Sequence, residues 1–228
     1  MTVALTVGCC VAGGAVAVIL PVQVVASPDG RTVAEGPSPT PSLVLRRWWG
    51  WVMIVATAAV WGGFAAQLGA AWDLPAYLAL GAGLVALTVI DLQHQLLPRR
   101  LVVPVAIGTA ALLGVAALAT DAGDALVRAV ACAGGAYAAF WVLRFVNPRG
   151  IGGGDVTLAG LLGLALGWHS VEATVWGLAA GAIFAAVFAI VALASGRVAA
   201  RTAITYGPFL VAGALLVLYA APDGRLFG

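Results

Sequence analysis

Long apolar runs separated by short polar breaks set the pattern of this chain. The runs cover Thr2 to Ala26, Trp48 to Ala71, Leu74 to Ile90, Leu101 to Ala119, a stretch closing near Val146, Val156 to Trp168, Val171 to Ala194 and Ala203 to Ala221. A helix rising about 1.5 Å per residue needs about 20 apolar residues to cross a hydrocarbon core about 30 Å thick. The pattern therefore predicts an all-α, polytopic membrane protein with about eight transmembrane helices. Val156 to Trp168 is too short for a full crossing, at roughly 20 Å, so Asp155 just before it is expected to start below the membrane surface.

The longest polar break, Ser27 to Arg47, holds Pro28, Pro37, Pro39 and Pro41 among Ser, Thr and Gly. Proline at that density cannot sustain a helix, so the break reads as a linker. Residues 1–47 are then an N-terminal transmembrane helix with a short Pro-rich cytoplasmic loop, and residues 48–228 the membrane domain. Val24-Val25-Ala26 has the look of a signal-peptidase site. A signal peptide wants a positive start, however, and Met1 to Leu20 has no Arg or Lys, which favours a retained helix. Trp48, Trp49 and Trp51 at one end of the next run and Trp72 past the other stand where an aromatic belt belongs.

Composition sharpens this picture. Charged residues make up 9% of the chain and mean hydropathy is +1.07, against about 25% charged residues in soluble domains. All 11 basic residues are arginines, scattered rather than clustered, which leaves no footprint for nucleic acid. Cys9, Cys10 and Cys132 form no C-x-x-C pair, so no metal is expected, and no cofactor either. Counting alternate loops as cytoplasmic puts Arg31, Arg46, Arg47, Arg99, Arg100, Arg144, Arg149, Arg197 and Arg201 on one side. Asp73, Asp121, Asp124, Glu172 and Asp223 fall on the other, with Arg128 and Arg225.

In that layout two aspartates, Asp91 and Asp155, meet the same cytoplasmic boundary although two helices separate them in sequence. Ionisable groups at membrane depth are costly and point to function. Two carboxylates held a few ångströms apart share a proton and titrate as a pair, one arm serving as base and the other as acid toward a water and a carbonyl. The positive end of the helix starting near Asp155 favours its anion by roughly 0.3–1 kcal/mol. Gly152, Gly153 and Gly154 precede Asp155; lacking a Cβ and tolerating positive φ, they are expected to allow a substrate backbone close approach and a sharp entry into the helix. The plainer readings are a helix-end Asp91 satisfied by Arg99 or Arg100, and a structural or interfacial His94. A serine nucleophile has no support, since no G-x-S-x-G occurs and His169 lies across the membrane.

Three stretches together resemble the type IV prepilin peptidases: Asp91-Leu92-Gln93-His94-Gln95-Leu96-Leu97-Pro98, Gly152-Gly153-Gly154-Asp155-Val156 as a G-x-G-D motif, and Tyr206-Gly207-Pro208-Phe209-Leu210 as a G-P-F-L segment. The resemblance spans roughly Leu74 to Leu216. It implies a membrane aspartic endopeptidase of the bacterial inner membrane, with Asp91 and Asp155 as the catalytic pair. The implied substrate is a prepilin or pseudopilin with a basic leader and a hydrophobic helix, cut at the cytoplasmic face, with membrane lipid as the surrounding partner. Two departures stand out. Thr157 occupies a position where the family often carries lysine, and Ser27 to Arg47 has no cysteine where many members carry paired C-x-x-C motifs associated with N-methylation. The expectation is a short form without methyltransferase activity. The presenilin-like group fits less well, because Ile90 precedes Asp91 and no Pro-Ala-Leu follows. The alternative from another class is a small proton- or ion-coupled transporter using the same carboxylates, though no internal repeat supports it.

Overall fold

The computed structural model describes residues 43–94, 97, 99–147, 150–195 and 206–220, with backbone alone for 43–49, 93 and 94. Within them the chain forms seven helices: α1 (Leu43–Leu68), α2 (Leu74–His94), α3 (Arg99–Thr120), α4 (Gly123–Val146), α5 (Gly153–His169), α6 (Val171–Ala194) and α7 (Gly207–Ala220). Five of them, α1 to α4 and α6, hold stretches long and apolar enough to cross a membrane. The protein is an all-helical, multi-pass membrane protein. The expected helix over Thr2 to Ala26 and the proline-rich loop before Leu43 lie outside the described residues.

Helix ends follow local chemistry. Gly69, at φ +61°, closes α1, its N–H donating to the Ala65 carbonyl at 3.1 Å; Asp121, at φ 56°, follows α3 in the same left-handed region. Ser170 separates α5 from α6, and its hydroxyl accepts from the Ala173 N–H at 2.9 Å as an N-cap. Several boundaries differ from the hydropathy pattern: α1 begins at Leu43, inside the stretch expected to be linker as far as Arg47, and α5 begins at Gly153, which puts Asp155 in its first turn. α2 runs on past Ile90 to His94, which puts Asp91 on the last turn of a helix rather than beyond it. α7 begins at Gly207, and residues 203–205 lie outside the described part.

The short helix is the central one. α5 is buried from Gly154 to Trp168 apart from Thr157 and Gly160, and α3, α4, α6 and α7 pack around it. Its seam with α4 is close because Gly163 and Gly167 face Cys132: a Cβ at Gly163 would stand 2.7 Å from the Cys132 carbonyl oxygen. Small residues at this spacing let membrane helices gain van der Waals contact that lipid cannot supply. The outer faces carry large apolar side chains such as Leu118, Phe145 and Ile190, suited to lipid.

The far end of α5 is pinned by polar contacts. Arg128 of α4 donates from Nε to the Gly167 carbonyl at 2.9 Å and from Nη2 to the Trp168 carbonyl at 2.5 Å. The Trp168 indole donates to Asp73 Oδ2 at 3.1 Å, and the Tyr77 hydroxyl donates to the Ala165 carbonyl at 2.7 Å. Terminal carbonyls that α5 cannot satisfy itself thereby find donors. With that end fixed, the depth of Asp155 at the other end is fixed as well.

Candidate active site

The last turn of α2 and the first turn of α5 reach the same end of the bundle, where α7 begins between them. Asp91 is 3% exposed and Asp155 8% exposed. A Cβ placed on Gly207 would lie 2.5 Å from Asp91 Oδ2 and 3.7 Å from Asp155 Oδ1. The two oxygens are therefore separated by no more than the sum of those distances. Glycine is needed at 207 because any side chain would take the space where the carboxylates meet. Asp91 Oδ2 has no hydrogen-bond partner among the described residues, while the Gly207 amide faces the Asp91 carboxylate.

Asp155 is held differently. As the third residue of α5 it reaches back, and its Oδ2 accepts the Gly152 N–H at 3.0 Å, the carboxylate half of a capping box. Arg144, in the last turn of α4, acts electrostatically on it, and the Asp155 charge in turn is felt by Tyr206, whose ring packs against Phe140 at a centroid distance of 6.1 Å. Arg99, one of the two arginines expected as partners for Asp91, donates from its Nε to the Gly153 carbonyl at 3.0 Å. Thr157 turns inward on its own helix, donating to the Gly153 carbonyl at 3.2 Å. The side chain of His94 lies outside the described residues.

The three glycines before Asp155 have their side-chain space taken by the protein itself. Arg144 and Arg99 stand at Gly153, the backbone of Leu97 at Gly154, and the Asp155 carboxylate at Gly152. Among the described residues positive φ occurs at Gly69 and Asp121, so the entry into α5 uses no left-handed turn; Gly152 is extended at φ −69° and ψ 153°. Close approach, rather than φ, is what requires glycine here.

Two buried carboxylates at one point, one anchored by a backbone amide and a nearby cation and the other with a bare oxygen, can divide one proton between them. That is the equipment for activating a water and protonating a carbonyl. Among the described residues no group of three or more His, Cys, Asp or Glu side chains could hold a metal ion. A small cavity of about 10 Å³, room for one water, lies at the opposite end among Phe64, Gln67, Tyr77 and His169, far from this chemistry. Gly207, Tyr206 and Arg144 were not singled out as site residues from the sequence pattern. A usable signal existed for Arg144, the one charge in an apolar turn after Arg128.

The family model described as "Type IV leader peptidase family" matches residues 78–221, which contain every residue of this site. Among curated proteins, the "Prepilin leader peptidase/N-methyltransferase" of Pseudomonas aeruginosa is 32% identical over 173 residues, covering 72% of this chain and 56% of that protein. The protein of the same name from Stutzerimonas stutzeri is 31% identical over 155 residues, covering 67% of this chain and 52% of that one. The chain thus spans about half the length of the curated relatives it matches. No solved structure matches it.

Proposed function

Since the chain belongs to the type IV leader peptidase family, we propose that it is a membrane aspartic endopeptidase that removes leader peptides from prepilins or pseudopilins. The observation that carries the proposal is the meeting of Asp91 and Asp155 against Gly207, both of them buried. In the reaction one carboxylate takes a proton from a water as its oxygen bonds to the scissile carbonyl carbon. The other gives its proton to the carbonyl oxygen. Collapse of the resulting gem-diol breaks the C–N bond, the leaving nitrogen gains the first proton, and the second carboxyl regains its own.

The excess of arginine at this end of the bundle supports a cytoplasmic dyad in a bacterial inner membrane, where a basic leader meets the site while its hydrophobic helix stays in lipid. A substrate backbone that used Gly153 or Gly154 would have to displace Arg144, Arg99 or the Leu97 carbonyl. Gly152, which is exposed, is the approach we favour. The transporter alternative is not favoured, because the matched family and relatives are peptidases. The relatives' names also include an N-methyltransferase; our reading gives this chain the peptidase activity alone.

Asp91→Asn and Asp155→Asn keep the side-chain shape and remove the proton chemistry. Each variant should accumulate in the membrane and leave a co-expressed prepilin uncut. Full processing by either overturns the dyad. Mass spectrometry of the pilin released by the purified wild-type chain in the presence of S-adenosylmethionine should show an unmodified terminal amine.

A further inference from the structure

We infer that Arg144 is a positioning residue of the dyad: its guanidinium, set between the last turn of α4 and the first turn of α5, keeps Asp155 as the base and leaves the shared proton on Asp91. The inference rests on the peptidase reading above.

Arg144 is an unusual residue where it stands. It is the one charged side chain of α4 after Arg128, it is half-buried, and its Nη1 is fully buried with no hydrogen-bond partner among the described residues. That nitrogen fills the space beside Gly153, the first residue of α5, while Arg99 reaches the same glycine from α3. A helix N-terminus carries a positive partial charge, so two cations there oppose the dipole and need an anion beside them. The acidic residue in the first turn of α5 is Asp155. Arg99 spends its Nε on the Gly153 carbonyl, whereas the buried Nη1 of Arg144 has no hydrogen-bond partner among the described residues and its desolvation is offset by the Asp155 field.

Asp91 has different surroundings. It sits on the last turn of α2, where the helix dipole disfavours an anion; the Gly207 amide at the start of α7 faces its carboxylate, yet its Oδ2 has no hydrogen-bond partner among the described residues. The charged and titratable groups facing Asp155 are Asp91 from α2, Arg144 from α4 and Tyr206 ahead of α7, with Arg99 of α3 beyond Gly153. The one charged residue of α6, Glu172, is at the far end. Arg144 and Arg99, the two cations placed at Gly153, lie on the Asp155 side. Water gives its proton to Asp155, and the carbonyl oxygen takes the proton of Asp91.

A merely structural arginine at a helix end would change stability or expression and leave the pH profile alone. The test is the pH dependence of prepilin cleavage by purified full-length Arg144→Gln and Arg144→Lys beside the wild type. Arg144→Gln should move the acidic limb of the kcat profile to higher pH by about one unit, the usual effect of losing an opposite charge at this range. KM should stay where it was, and Arg144→Lys should restore most of the limb. If Arg144→Gln does not accumulate, Arg144→Met, which keeps the buried stem, carries the same reading. A uniform fall in kcat with the limb unmoved overturns the inference in favour of a structural role, and a rise in KM with the limb unmoved overturns it in favour of direct substrate contact. Wild-type protein that cuts no prepilin at any pH defeats the peptidase reading instead.

Discussion

Gly207 is the residue at which one methyl group should do the most harm. An alanine Cβ there would stand 2.5 Å from Asp91 Oδ2, well inside contact distance, and Asp91 has a side chain too short to swing clear without leaving Asp155. Displacing a reacting group by a fraction of an ångström to one ångström costs roughly ten- to a hundredfold in rate. Gly207→Ala should therefore cut kcat for prepilin cleavage at least roughly tenfold while accumulating like the wild type; unchanged kcat would mean that the dyad does not work in this arrangement. The two aspartates could be picked out from the sequence because isolated carboxylates ending apolar runs have few inexpensive explanations. Gly207 could not, except through resemblance to a G-P-F-L segment, because a glycine's purpose depends on which group comes to face it. The same holds for Gly153 and Gly154: the sequence shows a missing Cβ, and only the fold shows that Arg144 and Leu97 fill its place.

At the level of elements, α5 explains how a pair so far apart in sequence is held in register. It is 17 residues long, about 26 Å, and its C-terminal carbonyls are met inside the bundle by Arg128, a cation suited to that end of a helix dipole. Arg128→Ala removes both hydrogen bonds and should lower stability by about 1–2 kcal/mol, given the modest measured worth of polar contacts between membrane helices. Thermal unfolding in detergent should show a lower midpoint, with the pH profile of any remaining activity unchanged; an unmoved midpoint would show that the seat of α5 depends on its apolar packing alone. Hydropathy predicted the six described runs from Leu74 onward as helices, because every one is apolar on all sides. It missed where α2 stops, since His94 and Gln93 are polar yet continue the helix, and an apolarity pattern has no way to register that. It also could not foresee Arg128, which read as a stray charge on the acidic side.

For the whole molecule, the arrangement of helix ends makes a statement about sidedness that labelling can check. The end holding the dyad carries Arg99, Arg100 and Arg144, and the other end carries Asp73, Asp121, Asp124 and Glu172 with Arg128. Lys and Arg bias decides orientation, whereas acidic residues contribute little, so the three arginines are the informative part. Six of the seven described helices meet in consecutive pairs at the dyad end, α2 with α3, α4 with α5 and α6 with α7, which requires Arg100 and Asn147 to share a side although α3 and α4 lie between them. Both positions are exposed, as are Asp124 and Glu172 at the far end. Single cysteines at Arg100 and Asn147, in a chain whose Cys9, Cys10 and Cys132 are replaced by alanine, should react with a membrane-impermeant maleimide only after the cytoplasmic side is opened. Cysteines at Asp124 and Glu172 should react in intact spheroplasts. Labelling of Arg100→Cys and Asn147→Cys from opposite sides would separate Asp91 from Asp155 across the membrane, and no chemistry shared between them could survive that result.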